Sequence, residues 1–102
     1  MSDNVKEKIE SILNESPVVL FMKGTQKSPL CGFSARACAI LNDLGVEFKD
    51  VNVLEDQEIR EGIKEYGNWP TIPQLYIKKE LIGGSDIMME MYQSGELKQL
   101  FQ

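Results

Sequence analysis

A chain of 102 residues with 42% hydrophobic and 8% aromatic content is long enough for one packed domain and too short for two, so residues 1–102 are read as a single domain. The net charge of −5 argues against nucleic acid as a partner, because phosphate binding calls for a basic surface, and the absence of histidine removes the commonest general base and metal ligand. Two cysteines are too few for a disulfide scaffold, "MSDNVKEKIESILNE" lacks the apolar core of a secretory signal, and no apolar run is long enough to span a bilayer. The expected setting is a reducing one without a membrane partner: the cytoplasm or, after removal of a transit peptide, an organelle matrix.

Val5, Ile9, Ile12 and Leu13 recur at helical spacing, which predicts an amphipathic helix over 3–15 that ends near Pro17. "PVVLFM" (17–22) reads as a strand buried on both faces. After the turn-rich "KGTQKSP", the positions of Phe33, Ala37, Ile40, Leu41 and Leu44 predict a second helix that stops at Gly45. "FKDVNV" (48–53) alternates like a strand with one buried face, and Ile59, Ile63 and Tyr66 line a helix over 56–66 despite Gly62. "QLYIKKELIGG" predicts two strands about a tight turn at Lys78 and Lys79, although the usual Asn-Gly is missing. Ile87, Met88, Met91 and Tyr92 mark a last helix that breaks near Gly95. The order αβαβαββα implies an α/β fold. A helical crossover makes the first strand pair parallel and a hairpin makes the last pair antiparallel, giving one four-stranded mixed sheet flanked by helices on both faces.

Cys31 falls where the loop after the first strand turns into a helix, so free N–H groups and the positive end of the helix dipole favour its thiolate. No acidic residue occurs between Glu15 and Asp43, while Lys23, Lys27 and Arg36 all do. That excess suits an incoming anion; the plainer alternative is that Cys31 is a small hydrophobe. Cys38 follows seven residues later on the same helix, with its Cα ~10.5 Å away at 1.5 Å per residue. A disulfide needs Cα atoms within about 7 Å, so the pair cannot bridge and Cys38 reads as a core filler. Any partner thiol for Cys31 then comes from a second chain, a protein substrate or a small thiol.

In "NWPTIPQ" (68–74), Pro73 forces Ile72 into an extended conformation whose backbone could pair with a peptide-like ligand. In "GGSD" (83–86), Ser85 or Asp86 could cap the next helix, and Asp86 could equally meet a ligand's amino group. Arg60 and Lys64, one helical turn apart, suit a carboxylate or else form a solvated face with Glu61 and Glu65.

"FMKGTQKSPLCGFS", "NWPTIPQLYI" and "GGSDIMMEMYQSGEL" resemble, in order and spacing, the motifs of the monothiol glutaredoxins of the CGFS type, and the similarity covers roughly residues 5–101. The resemblance implies a thioredoxin fold, a cis bond before Pro73 and a glutathione site with a redox-active Cys31. In that site Lys23 and Arg60 would hold the glycyl carboxylate, Ile72 would pair with the cysteinyl backbone, and Ser85 with Asp86 would hold the γ-glutamyl end. Many relatives carry a second cysteine where this chain has Ser85, a departure that puts an intramolecular disulfide cycle in doubt.

A 2Fe-2S centre takes four thiolates. Two chains each bringing Cys31 and one glutathione would supply them, and the resemblance implies a homodimer that bridges a labile cluster and passes it to iron-sulfur acceptor or assembly proteins. The alternative it implies is a glutathione-dependent oxidoreductase that removes glutathione from protein mixed disulfides, an activity generally weak in this type.

Overall fold

The computed structural model describes residues 1–102. Its elements are α1 (Asp3–Asn14), β1 (Val18–Met22), α2 (Gly32–Asp43), β2 (Lys49–Asn52), a 3-10 turn (Val53–Glu55), α3 (Gln57–Tyr66), β3 (Gln74–Ile77), β4 (Glu80–Gly83), α4 (Ser85–Ser94) and α5 (Glu96–Leu100). The strands form one mixed sheet in the order β2-β1-β3-β4. β1 pairs parallel with β2 and antiparallel with β3, and β3 pairs antiparallel with β4. The parallel pair needs a crossover, which α2 supplies.

β1 is central and buried throughout, and its alternation sorts the protein into two layers. Val18, Leu20 and Met22 pack with Ala37, Cys38, Ile40 and Leu41 of α2, Met88 of α4 and Leu97 of α5. Val19 and Phe21 face the other way, onto Val5, Ile9 and Leu13 of α1 and Ile59 and Ile63 of α3. Ser2 caps α1 by accepting the Val5 N–H at 3.3 Å, and Asp56 caps α3 by accepting the Ile59 N–H at 3.2 Å. Gly62, unfavourable by propensity, is required by packing: a Cβ there would lie 2.5 Å from Val5 Cγ1, so the glycine lets α1 and α3 approach.

Several expectations are corrected. Phe33 does not belong to the buried stripe of α2; it is 59% exposed and lines a surface groove, while Ser34 beside it is the buried residue of the first turn. β2 is shorter than 48–53 and half-buried along its length, an edge strand whose flanking Phe48 and Val53 carry the burial. Neither Ser85 nor Asp86 caps α4; Gly84 is the N-cap and makes no side-chain bond. The hairpin turn lies where expected, with Lys78 (φ 50°) and Lys79 (φ 69°) both left-handed as a two-residue type I′ turn requires. The last helical stretch breaks at Gly95.

Candidate functional site

Cys31 is the N-cap of α2, with extended backbone (φ −154°, ψ 140°), and its side chain makes no capping bond. It is half-buried. Burial alone would push its thiol up, but the N–H groups of Ser34 and Phe33, the Ser34 hydroxyl and the Lys23 ammonium outweigh it and hold the pKa below the ordinary thiol value. The first turn of α2 carries no acidic residue that would oppose this.

The loop before Cys31 is stiff for structural reasons. Leu30 N–H returns to the Lys23 carbonyl at 3.0 Å, and Thr25 and Ser28 exchange backbone bonds at 3.2 and 3.1 Å. Gly24 (φ +88°) makes the turn possible, since a Cβ would stand 2.5 Å from the Ser28 carbonyl oxygen. From the side, β2 and its flanks anchor the loop: Asn52 Oδ1 accepts the Gly24 N–H at 3.0 Å, Asp50 accepts the Gln26 N–H at 2.8 Å, and Gln26 Nε2 donates to the Phe48 carbonyl at 3.0 Å.

Beside the thiol runs a groove of about 400 Å³ whose wall includes Lys23, Arg60, Ile72, Ser85 and Asp86. All five residues singled out as ligand-binding are thus brought together; Cys31 is not part of the wall, but Lys23 and Phe33, its neighbours in the site, are. Lys23 and Arg60 have no carboxylate partner, so both charges are available to a bound anion. Lys64 also lines the groove but is drawn to Glu61 at 3.6 Å. The Ile72–Pro73 bond is cis. Ile72 is buried, lies outside every strand and enters none of the loop hydrogen bonds, so its peptide groups are not committed to a partner within the protein.

Cys38 is buried deep in the α2 layer, its Sγ 3.5 Å from Met22 Sδ. Burial first, and the Asp50 carboxylate second, push its thiol up to about 11. Both cysteines are free. No group of three or more Cys, Asp or Glu in this chain could hold a metal.

Four residues of the site escaped sequence reasoning. Arg36, noticed only as one of three cations, donates from Nε to Ser85 Oγ at 2.7 Å and pairs through Nη2 with Asp86. Its signal was the acid-free stretch, but nothing in the sequence marked a partner 49 residues away. Ser34 is fully buried and accepts the Lys23 N–H at 3.0 Å. Gln74, also fully buried, ties the cis-proline loop together by donating to the carbonyls of Trp69 and Thr71 at 3.0 and 3.2 Å. Trp69 lines the groove, and its buried Nε1 has no partner.

A thiolate-favouring cysteine at the start of the crossover helix that follows β1, beside a groove lined by a cis-proline loop, on a four-stranded mixed sheet with helices on both faces, defines a thioredoxin-fold thiol protein. The glutaredoxin family model matches residues 18–82. A probable monothiol glutaredoxin 2 of Rickettsia conorii is 58% identical over 92% of this chain and 88% of its own length. The mitochondrial monothiol glutaredoxin-5 of Lachancea kluyveri is 52% identical over 100% of this chain and 73% of its own. Among solved structures, reduced poplar apo GrxS14 superposes with a TM-score of 0.83 at 48% identity, over 93% of this chain and 87% of that one. The chain belongs to the glutaredoxin family, among its monothiol members.

Proposed function

We propose that this protein binds glutathione in the groove beside Cys31 and, as a homodimer, carries a labile 2Fe-2S cluster as cargo for iron-sulfur acceptor or assembly proteins. The observation that carries the reading is one accessible thiolate-favouring cysteine standing beside a groove whose wall holds two unpaired cations, Lys23 and Arg60. Lys23 and Arg60 hold the glycyl carboxylate, Ile72 pairs with the cysteinyl backbone, and Ser85 with Asp86 receives the γ-glutamyl end. Such an arrangement sets a second thiol beside Cys31 without a second cysteine in the chain.

Donor chemistry supports the cluster. One chain offers a single accessible thiolate and no other soft ligand nearby, whereas the centre needs four thiolates. Two Cys31 thiolates and two glutathione thiolates complete the set, and because half of them are held non-covalently, release to an acceptor is easy. The cytoplasm or an organelle matrix suits this role, in keeping with bacterial and mitochondrial relatives.

The lowered Cys31 pKa also favours a second reading, removal of glutathione from protein mixed disulfides. The Cys31 thiolate would attack the glutathione sulfur, breaking the S–S bond and releasing the protein thiolate. A second glutathione thiolate would then attack the Cys31 adduct, regenerating Cys31 and leaving glutathione disulfide.

Calorimetry on the apo protein tests the shared premise. Lys23→Glu and Arg60→Glu should each weaken glutathione binding by about tenfold or more, the worth of a charge-assisted bond to a carboxylate. Unchanged affinity in both variants would place the ligand elsewhere.

A further inference from the structure

Arg36 stands outside the groove wall, yet it holds two residues of that wall. Its Nε donates to Ser85 Oγ at 2.7 Å, its Nη2 pairs with Asp86, and its Cζ lies 5.9 Å from the centre of the Phe33 ring. The guanidinium is therefore fixed by one hydroxyl, one carboxylate and one aromatic face. The Asp86 side chain is 89% exposed with Arg36 in place and has no other hydrogen-bond or ion-pair partner, so without Arg36 this end of the groove would present an unpaired negative charge. With it, the end presents an anion of set orientation balanced by a cation.

Resting on the reading that the groove takes glutathione, we infer that Arg36 is a positioning residue. It makes this end select a ligand terminus that carries both an ammonium and a carboxylate over one that carries an ammonium alone. Asp86 by itself attracts the ammonium and repels a carboxylate bound to the same carbon. Arg36 cancels the repulsion while leaving the Asp86 oxygens in place to receive the ammonium. Charges separated by a few Å at a protein surface interact strongly enough to alter affinity by about tenfold.

The test is calorimetric titration of the wild type, Arg36→Gln and Arg36→Lys with two probes: glutathione, and its analogue in which the γ-glutamyl α-carboxylate is an amide. The wild type should bind glutathione about tenfold more tightly than the amide. In Arg36→Gln that preference should collapse toward parity, because glutathione loses its balancing cation while the amide, with its net positive end, gains from an unopposed Asp86. Arg36→Lys keeps the charge and should keep the preference. A merely structural role for Arg36 would weaken both probes in proportion, so an Arg36→Gln protein with the wild-type ratio overturns the proposal, as does a wild type without preference or a Lys variant that behaves like Gln. If the wild type binds no glutathione at all, the glutathione reading falls and this inference with it. Tight glutathione binding with an unchanged ratio removes this inference alone.

Discussion

The backbone N–H of Lys23 donates to the Oγ of Ser34 at 3.0 Å, across eleven residues of sequence. One buried hydroxyl thereby joins the exit of β1 to the first turn of the helix that carries Cys31. Because the oxygen is occupied as an acceptor, its own proton is free to be donated to the Cys31 thiolate, one of the groups that hold that pKa down.

Ser34→Ala should therefore act twice. Leaving the Lys23 N–H without an acceptor should lower stability by about 1–3 kcal/mol, read by denaturant unfolding. Losing a donor to the thiolate should move the midpoint of Cys31 alkylation against pH upward, so that alkylation at neutral pH slows. An unmoved midpoint would show that the backbone N–H groups and Lys23 suffice.

Ser34→Cys places a thiol one helical turn from Cys31, where Cα atoms come within the ~4.4–6.8 Å that a disulfide accepts. Oxidation of the variant should remove two alkylatable thiols without dimerisation. Wild type treated with glutathione disulfide should instead gain one glutathione by mass. An internal Cys31 to Cys38 disulfide in wild type would contradict the continuous helix between them.

How much of this the sequence disclosed depends on the range of the interaction. The elements were legible because periodicity is local: Val5, Ile9 and Leu13 reveal the buried face of α1 without reference to any other part of the chain. The groove residues were legible through motifs at fixed spacing, and Lys23, Arg60, Ile72, Ser85 and Asp86 do line one groove. Phe33 falls in register with Ala37 and Ile40, yet it is exposed on the groove wall and its neighbour Ser34 takes the buried place in that turn. Arg36 and Gln74 act through partners that no local pattern announces: a carboxylate brought in by α4, and two carbonyls of the cis-proline loop. Gly62 looked like a flaw in α3 because its reason is Val5, on another helix.

Cys38 should be silent in the native state. With its thiol pushed up to about 11, a thiol reagent at neutral pH should modify one cysteine in folded protein and two after denaturation. The sign of the linkage follows from a folded pKa raised above the unfolded one: the contribution to stability is complete below about pH 9 and is lost as pH rises through about 11. Unfolding measured across that window should show alkaline destabilisation that is shallower in Cys38→Ala, whatever that variant's overall stability. Equal slopes would mean that other groups govern the alkaline limb.

Lys78 and Lys79 occupy left-handed positions that Asn and Gly adopt with less strain. Replacing them by Lys78→Asn with Lys79→Gly should raise stability by about 1 kcal/mol, the relief of strain being partly offset by the greater freedom of glycine in the unfolded chain. For a domain of this size that corresponds to a Tm increase of roughly 4–8 °C. A fall in Tm would show that the lysine side chains stabilise the turn in some other way.

The central claim is that glutathione supplies the thiols this chain lacks, and anaerobic reconstitution with iron, sulfide and glutathione tests it most directly. Visible absorption, molecular mass by light scattering and released glutathione are measured on the same sample. The expected product is a dimer with one cluster and two glutathione molecules, abolished by Cys31→Ser or by omitting glutathione and nearly intact in Cys38→Ser. A monomer that holds the cluster, or full occupancy without glutathione or without Cys31, would contradict the account.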